Sequence, residues 1–465
     1  MMRASEFINK KLSFPKWGLR VGSLFFIFAL IGSLYLAQGV SADLSPTETP
    51  VIQKVLPNGL TLLIKPNSAN EVVVMNVFAR MGAVYESRNE RGISKLMQQV
   101  MVKGTTTRSA QDIVYQTEAV GASIGSSIDS YSSGSLSLKT TLSGIDSSLP
   151  VFLDILKNPS FPKQEVAKEK EFLIQQLKAT TDQPEGEAFQ NFLGLFYGPQ
   201  PLGMKSAEIA GNVAHMTRAD LLAWYRRIYL PNNLVISVVG KVDPRKIETF
   251  FSDSLGSWGK GQVPVPVAAA ASLPKLDANT DPQIIRTRNS QALFLVLGYP
   301  APSIGDPDYP VMGVINYIMG SDMGSRLFVE LRDKRGLAYD VSTGYEAANY
   351  FSYLYTFMAM VPTNYQAAKT GILHEFSRLT TEPVPEQELT VAKTALKGGY
   401  LMEHETNSAQ NRFLGSYELM GLGYSFDQDY PRLIDKVTAA DVQRVAAKYF
   451  QHYSLSVVSP VEIKE

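Results

Sequence analysis

Hydrophobic positions along the chain follow two periods, and the changes from one to the other mark out its elements. In "GISKLMQQVMVKGT", Gly92 to Thr105, residues Ile93, Leu96, Met97, Val100 and Met101 recur at i, i+3, i+4, i+7 and i+8. They form one apolar stripe, which predicts an amphipathic helix packed on a core. Upstream, "VLPNGLTLLIKPNSANEVVVMNVFARMG" reads as a hairpin-like pair of strands with Asn58-Gly59 as the tight turn. Further on, "MTRADLLAWYRRIYLPNNLVISVVG" begins with Thr217 as a helix N-cap and carries Leu221, Leu222 and Tyr225 on one helical face. It turns at Pro231-Asn232-Asn233 and ends in a β-branched strand. The end of the chain repeats this order in "VTAADVQRVAAKYFQHYSLSVVSP", where Thr438 and Asp441 restart the cap and the helix.

Helix, turn and strand recurring at the same place in each half point to duplication. Strands grouped with helices, rather than strictly alternating with them, predict an α+β fold. The expected architecture is two homologous α/β sandwich domains, each a mainly antiparallel sheet with helices packed on it, joined by a linker as a clamshell. Length agrees, since 465 residues exceed one ordinary core and suit two domains of roughly 200 residues each. The periodic pattern breaks at "GSWGKGQVPVPVAAAASLPKLDANTDP", residues 256–282, where Pro, Ala and Gly take over. This is read as the linker between an N-terminal domain, 43–255, and a C-terminal domain, 283–465.

Ahead of both, Arg3, Lys10, Lys11, Lys16 and Arg20 precede "VGSLFFIFALIGSLYLA", and Val40-Ser41-Ala42 offers a small-residue cleavage site. Residues 1–42 are read as a signal peptide. An uncleaved membrane anchor is the alternative, because the apolar run is only slightly shorter than the roughly 20 residues that span a bilayer. Either reading exports the remaining chain to the periplasm or another extracytoplasmic compartment, with "DLSPTETP" as a polar tether.

With 44 basic and 44 acidic residues, the chain has no net field to recruit nucleic acid. It contains no cysteine, which excludes thiol nucleophiles, disulfides, iron–sulfur clusters and thiolate zinc sites. Its four histidines, His215, His374, His404 and His452, include no pair three to five residues apart, so a second zinc helix is not expected. On the helix of Gly92 to Thr105, Lys95 and Gln99 lie four apart, opposite the apolar stripe, with Gln98 expected beside them. That is the geometry by which H-x-x-E-H presents two imidazoles to one metal. Lysine at neutral pH is an ammonium without a free lone pair, and a carboxamide is essentially non-basic. Lys95 would repel a cation, and Gln98 cannot take a proton from water. Two readings of these residues stay open: a solvated polar face, or a hydrogen-bonded plug in place of a metal.

The wider passage "RMGAVYESRNERGISKLMQQVMVKGT" resembles the signature of the pitrilysin and insulinase type of metallopeptidase, the inverzincins. A glycine, the H-x-x-E-H helix and a "KGT" ending recur there in this order, and the resemblance covers nearly the whole mature chain. The family's third zinc ligand is a glutamate on a later helix. The matching run, "EVAKEKEFLIQQLKATTDQPEGEAFQNF", puts Gln176 at that position and Glu169 at a second, non-ligating glutamate. The family's substrate-binding edge strand maps near "GASIGSSIDSYSSGSLSLKT", where Ile124-Gly125-Ser126-Ser127 departs from an Asn-Ala-x-Thr character.

In the second half, "GSDMGSRLFVELRDKRGLAYDVSTGYEA" predicts a helix with Leu327, Phe328 and Leu331 on its apolar face. Gly336 ends it in a left-handed conformation, and "AYDVSTGY" follows as a strand. The segment is similar to the family's "SRL...LR-x-x-x-GLAY" element, and Arg332 and Tyr339, seven residues apart, match the pair that reaches across to the scissile peptide. A guanidinium and a phenol both donate to a carbonyl oxygen that gains negative charge. The resemblance therefore implies a chain with no metal ligands or cofactor of its own, contributing Arg332 and Tyr339 as catalytic residues. Zinc is expected in a homologous partner subunit with an intact H-x-x-E-H, and the substrate is a peptide or unfolded protein. The alternative is an inert structural or peptide-binding module of the same fold. An independent metallopeptidase with unexpected ligands is disfavoured by the residue types.

Overall fold

Each half of the chain completes its sheet by inserting its last strand between two earlier ones. The structure, a computed structural model, describes residues 50–129, 131–267, 281–350 and 352–463. The expected signal segment, 1–42, lies outside the described residues, as does 268–280 of the expected linker. The strands of the first half are β1 (Ile52–Val55), β2 (Thr61–Pro66), β3 (Val72–Arg80), β4 (Ser123–Ile128), β5 (Ser133–Thr141) and β6 (Leu234–Gly240). Its helices are α1 (Ile93–Met101), α2 (Ala110–Glu118), α3 (Ile145–Lys157), α4 (Lys163–Asp182), α5 (Pro184–Tyr197), α6 (Ser206–His215), α7 (Arg218–Ile228) and α8 (Pro244–Leu255). The second half has β7 (Gln283–Thr287), β8 (Leu293–Ala301), β9 (Asp340–Glu346), β10 (Ser352–Met360) and β11 (Ser454–Ser459). With them are α9 (Tyr309–Gly320), α10 (Tyr365–Thr381), α11 (Glu386–Glu403), α12 (Asn407–Leu419), α13 (Phe426–Asp435) and α14 (Ala439–Tyr449).

The first sheet runs β1-β2-β6-β3-β5-β4 and the second β7-β11-β8-β10-β9. In both, the final strand pairs in parallel with an early strand, β6 with β2 and β11 with β7, while the other pairings are antiparallel, and β1 adds an edge to the first sheet. The two halves thus share one strand plan, as the repeated helix, turn and strand predict. The caps repeat as well. The Asp220 amide donates to Thr217 Oγ1 (3.3 Å) while the Thr217 amide donates to Asp220 Oδ2 (2.8 Å), and Thr438 and Asp441 form the same reciprocal box, at 3.1 Å both ways. A lysine locks each cap from a preceding helix. Lys170 Nζ donates to the Ala214 and Met216 carbonyls, and Lys393 Nζ donates to those of Asp435 and Val437.

The turn expected at Asn58-Gly59 is present, with Gly59 at φ 86° and the Asn58 amide donating to the Leu255 carbonyl at 2.7 Å. From Thr49 onward the chain forms one compact unit, because each half lends a helix to the other's sheet. Helix α5 packs on β8 and β11, and α12 packs on β3 and β6. Phe192 of α5 is fully buried against Tyr353 of β10, with ring centroids 5.4 Å apart, and it fills the space a side chain at Gly298 would need. Reciprocally, Gly415 of α12 seats on the Phe78 ring. Buried Asn411 donates to the Val74 and Ser237 carbonyls at 3.0 and 2.7 Å.

Candidate functional site

Helix α1 forms as its stripe predicts, and Ile93, Leu96, Met97, Val100 and Met101 are all buried. Its N-terminus is held by a residue the periodicity does not reveal. The Glu86 carboxylate, 1% exposed, accepts from the Gly92 and Ser94 amides (3.0 and 2.9 Å) and from Arg91 Nη1 (3.0 Å). An anion there satisfies orphan amides and complements the helix dipole. Gly92 allows the entry turn at φ 104°, where a Cβ would also meet the Val213 side chain at 2.8 Å. At the other end, the "KGT" stretch is structural in this chain. Lys103 pairs with Glu169 at 3.1 Å, and Thr105 Oγ1 donates to Asp154 at 2.6 Å. Burial opposes ionisation of Asp154, but hydrogen bonds from Thr105, Asn158, Thr107 and Arg108 outweigh it and hold the carboxyl below the ordinary carboxylate range.

The polar residues of α1 divide in a way the sequence leaves open. Gln98 is not beside Lys95 on a solvated face; it is 1% exposed and turned toward the sheet. Its Nε2 donates to the Ser127 and Ser135 carbonyls (3.2 and 3.4 Å), and its Oε1 accepts from the Tyr229 hydroxyl at 3.0 Å. Burial raises the Tyr229 phenol far above its ordinary value, so it remains a donor. Gly134 of β5 leaves the room, since a Cβ there would stand 2.7 Å from Gln98 Nε2. Gln98 is thus a hydrogen-bonded plug. Lys95 is exposed, and so is Gln176 on α4. Gln99 is half-buried, with its amide oxygen enclosed and unpartnered among the described residues.

This donor set does not fit zinc. Lys95 offers no lone pair while charged, the carboxamides are neutral and weak, and both polar ends of Gln98 are engaged. Among the described residues, no group of three His, Cys, Asp or Glu side chains is placed to share an ion.

Arg332 and Tyr339 stand in a different environment. The turn that carries Arg332, Phe328–Asp333, is wound as a π-helix rather than the expected α-helix, with Leu331 buried beneath it. It ends as predicted at Gly336, φ 61°, where the Leu337 amide donates to the Leu331 carbonyl (2.8 Å) and the Gly336 amide to that of Arg332 (3.0 Å). The Gly336-to-Arg332 bond is the 5→1 bond of an αL termination, and the Leu337-to-Leu331 bond spans one residue more than a Schellman motif would, in keeping with the π winding. Among neighbouring charges, Lys334 pairs with Glu330 at 2.7 Å and Arg335 donates to the Ala367 carbonyl at 3.4 Å. Arg332 is exposed and makes no ion pair among the described residues; its guanidinium lies 4.7 Å from the Phe328 ring centroid. Tyr339, 59% exposed, fixes its backbone to the Ala359 carbonyl at 2.8 Å and leaves its hydroxyl without a partner among the described residues. The polar β4, with Ile124 to Ser127, is the edge of the first sheet.

Comparison with known proteins follows the same division. The family described as insulinase, peptidase family M16, matches residues 61–207, and the one described as peptidase M16 inactive domain matches 215–396. A Rickettsia felis protein named an uncharacterized zinc protease is 27% identical over 88% of this chain and 97% of its own length. A Bacillus subtilis zinc protease is 24% identical over 87% and 97%. Among solved structures, a protease from Helicobacter pylori superposes with a TM-score of 0.80 at 19% identity, covering 89% of this chain and all of that one. A peptidase M16 inactive domain from Pseudomonas fluorescens reaches 0.81 at 20% identity, covering 90% and 99%. The chain, with its two sandwich halves and its altered zinc helix, belongs to the insulinase and pitrilysin type of M16 peptidases.

Proposed function

We propose that this chain is the non-catalytic subunit of an exported, two-chain zinc peptidase. It lends Arg332 and Tyr339 to a homologous partner that carries an intact H-x-x-E-H and the zinc. The observation that carries this reading is a contrast within one molecule. The base position of α1 is filled by a buried glutamine that cannot accept a proton, whereas Arg332 and Tyr339 are exposed and neither side chain makes a hydrogen bond or ion pair among the described residues. A guanidinium and a phenol held on the end of a helix turn and the start of a strand suit a peptide carbonyl whose oxygen becomes negative. Export is carried by the basic, apolar and small-residue order of residues 1–42.

Mixing the purified chain with the partner peptidase should raise hydrolysis of an unfolded protein substrate. Arg332→Ala should remove that gain by about 100-fold or more, and Tyr339→Phe should remove part of it. A gain untouched by Arg332→Ala would instead favour a structural or peptide-binding module, in which the pair is dispensable.

A further inference from the structure

Beside the altered zinc helix lies a cleft of about 160 Å³ lined by two cations and two carboxylates. Its apolar wall comes from Ala83, Ile128, Leu173, Leu177 and Ile209, and its charged groups are Glu86, Arg91, Lys95 and Asp129. Most of the acceptor capacity of the two carboxylates is taken up within the chain. Glu86 takes the Gly92 and Ser94 amides and Arg91 Nη1. Asp129 takes the amides of Tyr131, Ser132 and Ser133 on Oδ1 (2.9, 2.6 and 3.0 Å) and the Ser133 hydroxyl on Oδ2. The cations are less completely used. Arg91 spends Nη1 on Glu86 and Nε on the Pro201 carbonyl at 3.1 Å, leaving Nη2 without a partner among the described residues. Lys95 has neither a hydrogen bond nor an ion pair among the described residues. Although the side chain as a whole is exposed, desolvation around the ammonium, and then the neighbouring Arg91, hold it below the ordinary lysine range.

We propose that this cleft is a carboxylate site that takes the C-terminal apolar residue of a peptide. The free donors are both cationic, which selects an anion. The aliphatic wall asks for an apolar group next to that anion, which inorganic ions lack. The volume lies below the roughly 300 Å³ at which sites for drug-sized ligands begin, so the cleft suits one terminal residue and excludes a nucleotide. Lys95 thereby has a use in the position where the family places a metal ligand. The site involves neither Arg332 nor Tyr339 and needs no partner chain, so it stands or falls apart from the proposed function.

The test is calorimetric titration of the purified chain with N-acetyl-Ala-Ala-Leu as the free acid and as the C-terminal amide. The acid should bind, with the amide weaker by about tenfold or more, the loss expected for a charge-assisted contact. Lys95→Gln should abolish the preference for the acid and Lys95→Arg should keep it; since Lys95 is exposed, an unchanged melting temperature will verify that both variants fold. Acid and amide binding alike, or Lys95→Gln binding the acid as the parent does, would overturn the proposal. Displacement of the peptide by an equal concentration of inorganic phosphate would overturn the apolar terminal residue as the ligand.

Discussion

Gln98 shows how one atom type decides between a peptidase helix and a sealed one. Two strand carbonyls, of Ser127 and Ser135, converge on its Nε2. A carboxylate there would face both without a proton to offer, while keeping only the Tyr229 hydroxyl as donor. Gln98→Glu is therefore expected to destabilise the chain by about 1–3 kcal/mol, read as a lower midpoint in urea unfolding with an unchanged slope. An unaltered midpoint would mean that the plug contributes nothing to stability. The sequence makes plain that this residue cannot be a base, because that follows from carboxamide chemistry alone. Its burial is not legible there. Placing Gln98 against the sheet requires Gly134 on β5 and Tyr229 after α7, which lie 36 and 131 residues away and share no local pattern with α1. Glu86 is hidden for a similar reason, since "YESRNERG" gives no periodic sign that its carboxylate turns back onto the helix start.

Helix ends and strand order follow local rules and were largely readable: the Thr-x-x-Asp boxes, the left-handed Gly336 and the strand after Pro231-Asn232-Asn233 all form where composition places them. Which sheet a helix covers is set by tertiary packing, so the exchange of α5 and α12 left no mark in periodicity. One junction among these helices couples to pH. At the end of α11, His404 Nε2 faces Asp427 Oδ1 and Nδ1 faces the Tyr400 carbonyl, both at 2.6 Å, while the ring stacks on Phe413 of α12 at 4.1 Å. A carboxylate and a carbonyl are both acceptors, so only the imidazolium form, donating from both nitrogens, satisfies the two contacts together. Burial works against that charge and Lys65 repels it, but the bonds to Asp427 and Tyr400 prevail and raise the histidine above its ordinary range. A raised folded-state value contributes stability that is complete below the unfolded value, about 6.5, and is lost as pH rises through the folded one. The melting temperature should fall as pH rises through that window, and the fall should be smaller in His404→Gln. Equal slopes for the two proteins would assign the pH dependence to other groups.

At the scale of the molecule, the exchanged helices tie the two halves to each other, so Arg332 and Tyr339 are carried on a frame shared by both sheets. The coupling can be measured, because beyond residues 1–42 the tryptophans are Trp224, on α7, and Trp258, at the start of the linker and packed on the first half's core, and the second half has none. In the chain without residues 1–42, tryptophan fluorescence thus reports the first half, and far-ultraviolet circular dichroism reports both. In guanidinium the two signals should trace one coincident transition. Phe192 belongs to the first half by sequence but buries its ring on the second sheet, beneath Tyr353 and over Gly298. Phe192→Ala should cost about 3–5 kcal/mol through the cavity it leaves. If the halves unfold together, the fluorescence and dichroism midpoints will move by the same amount. If the two midpoints separate, in the parent or in Phe192→Ala, the halves unfold independently and the exchanged helices are ornament rather than lock.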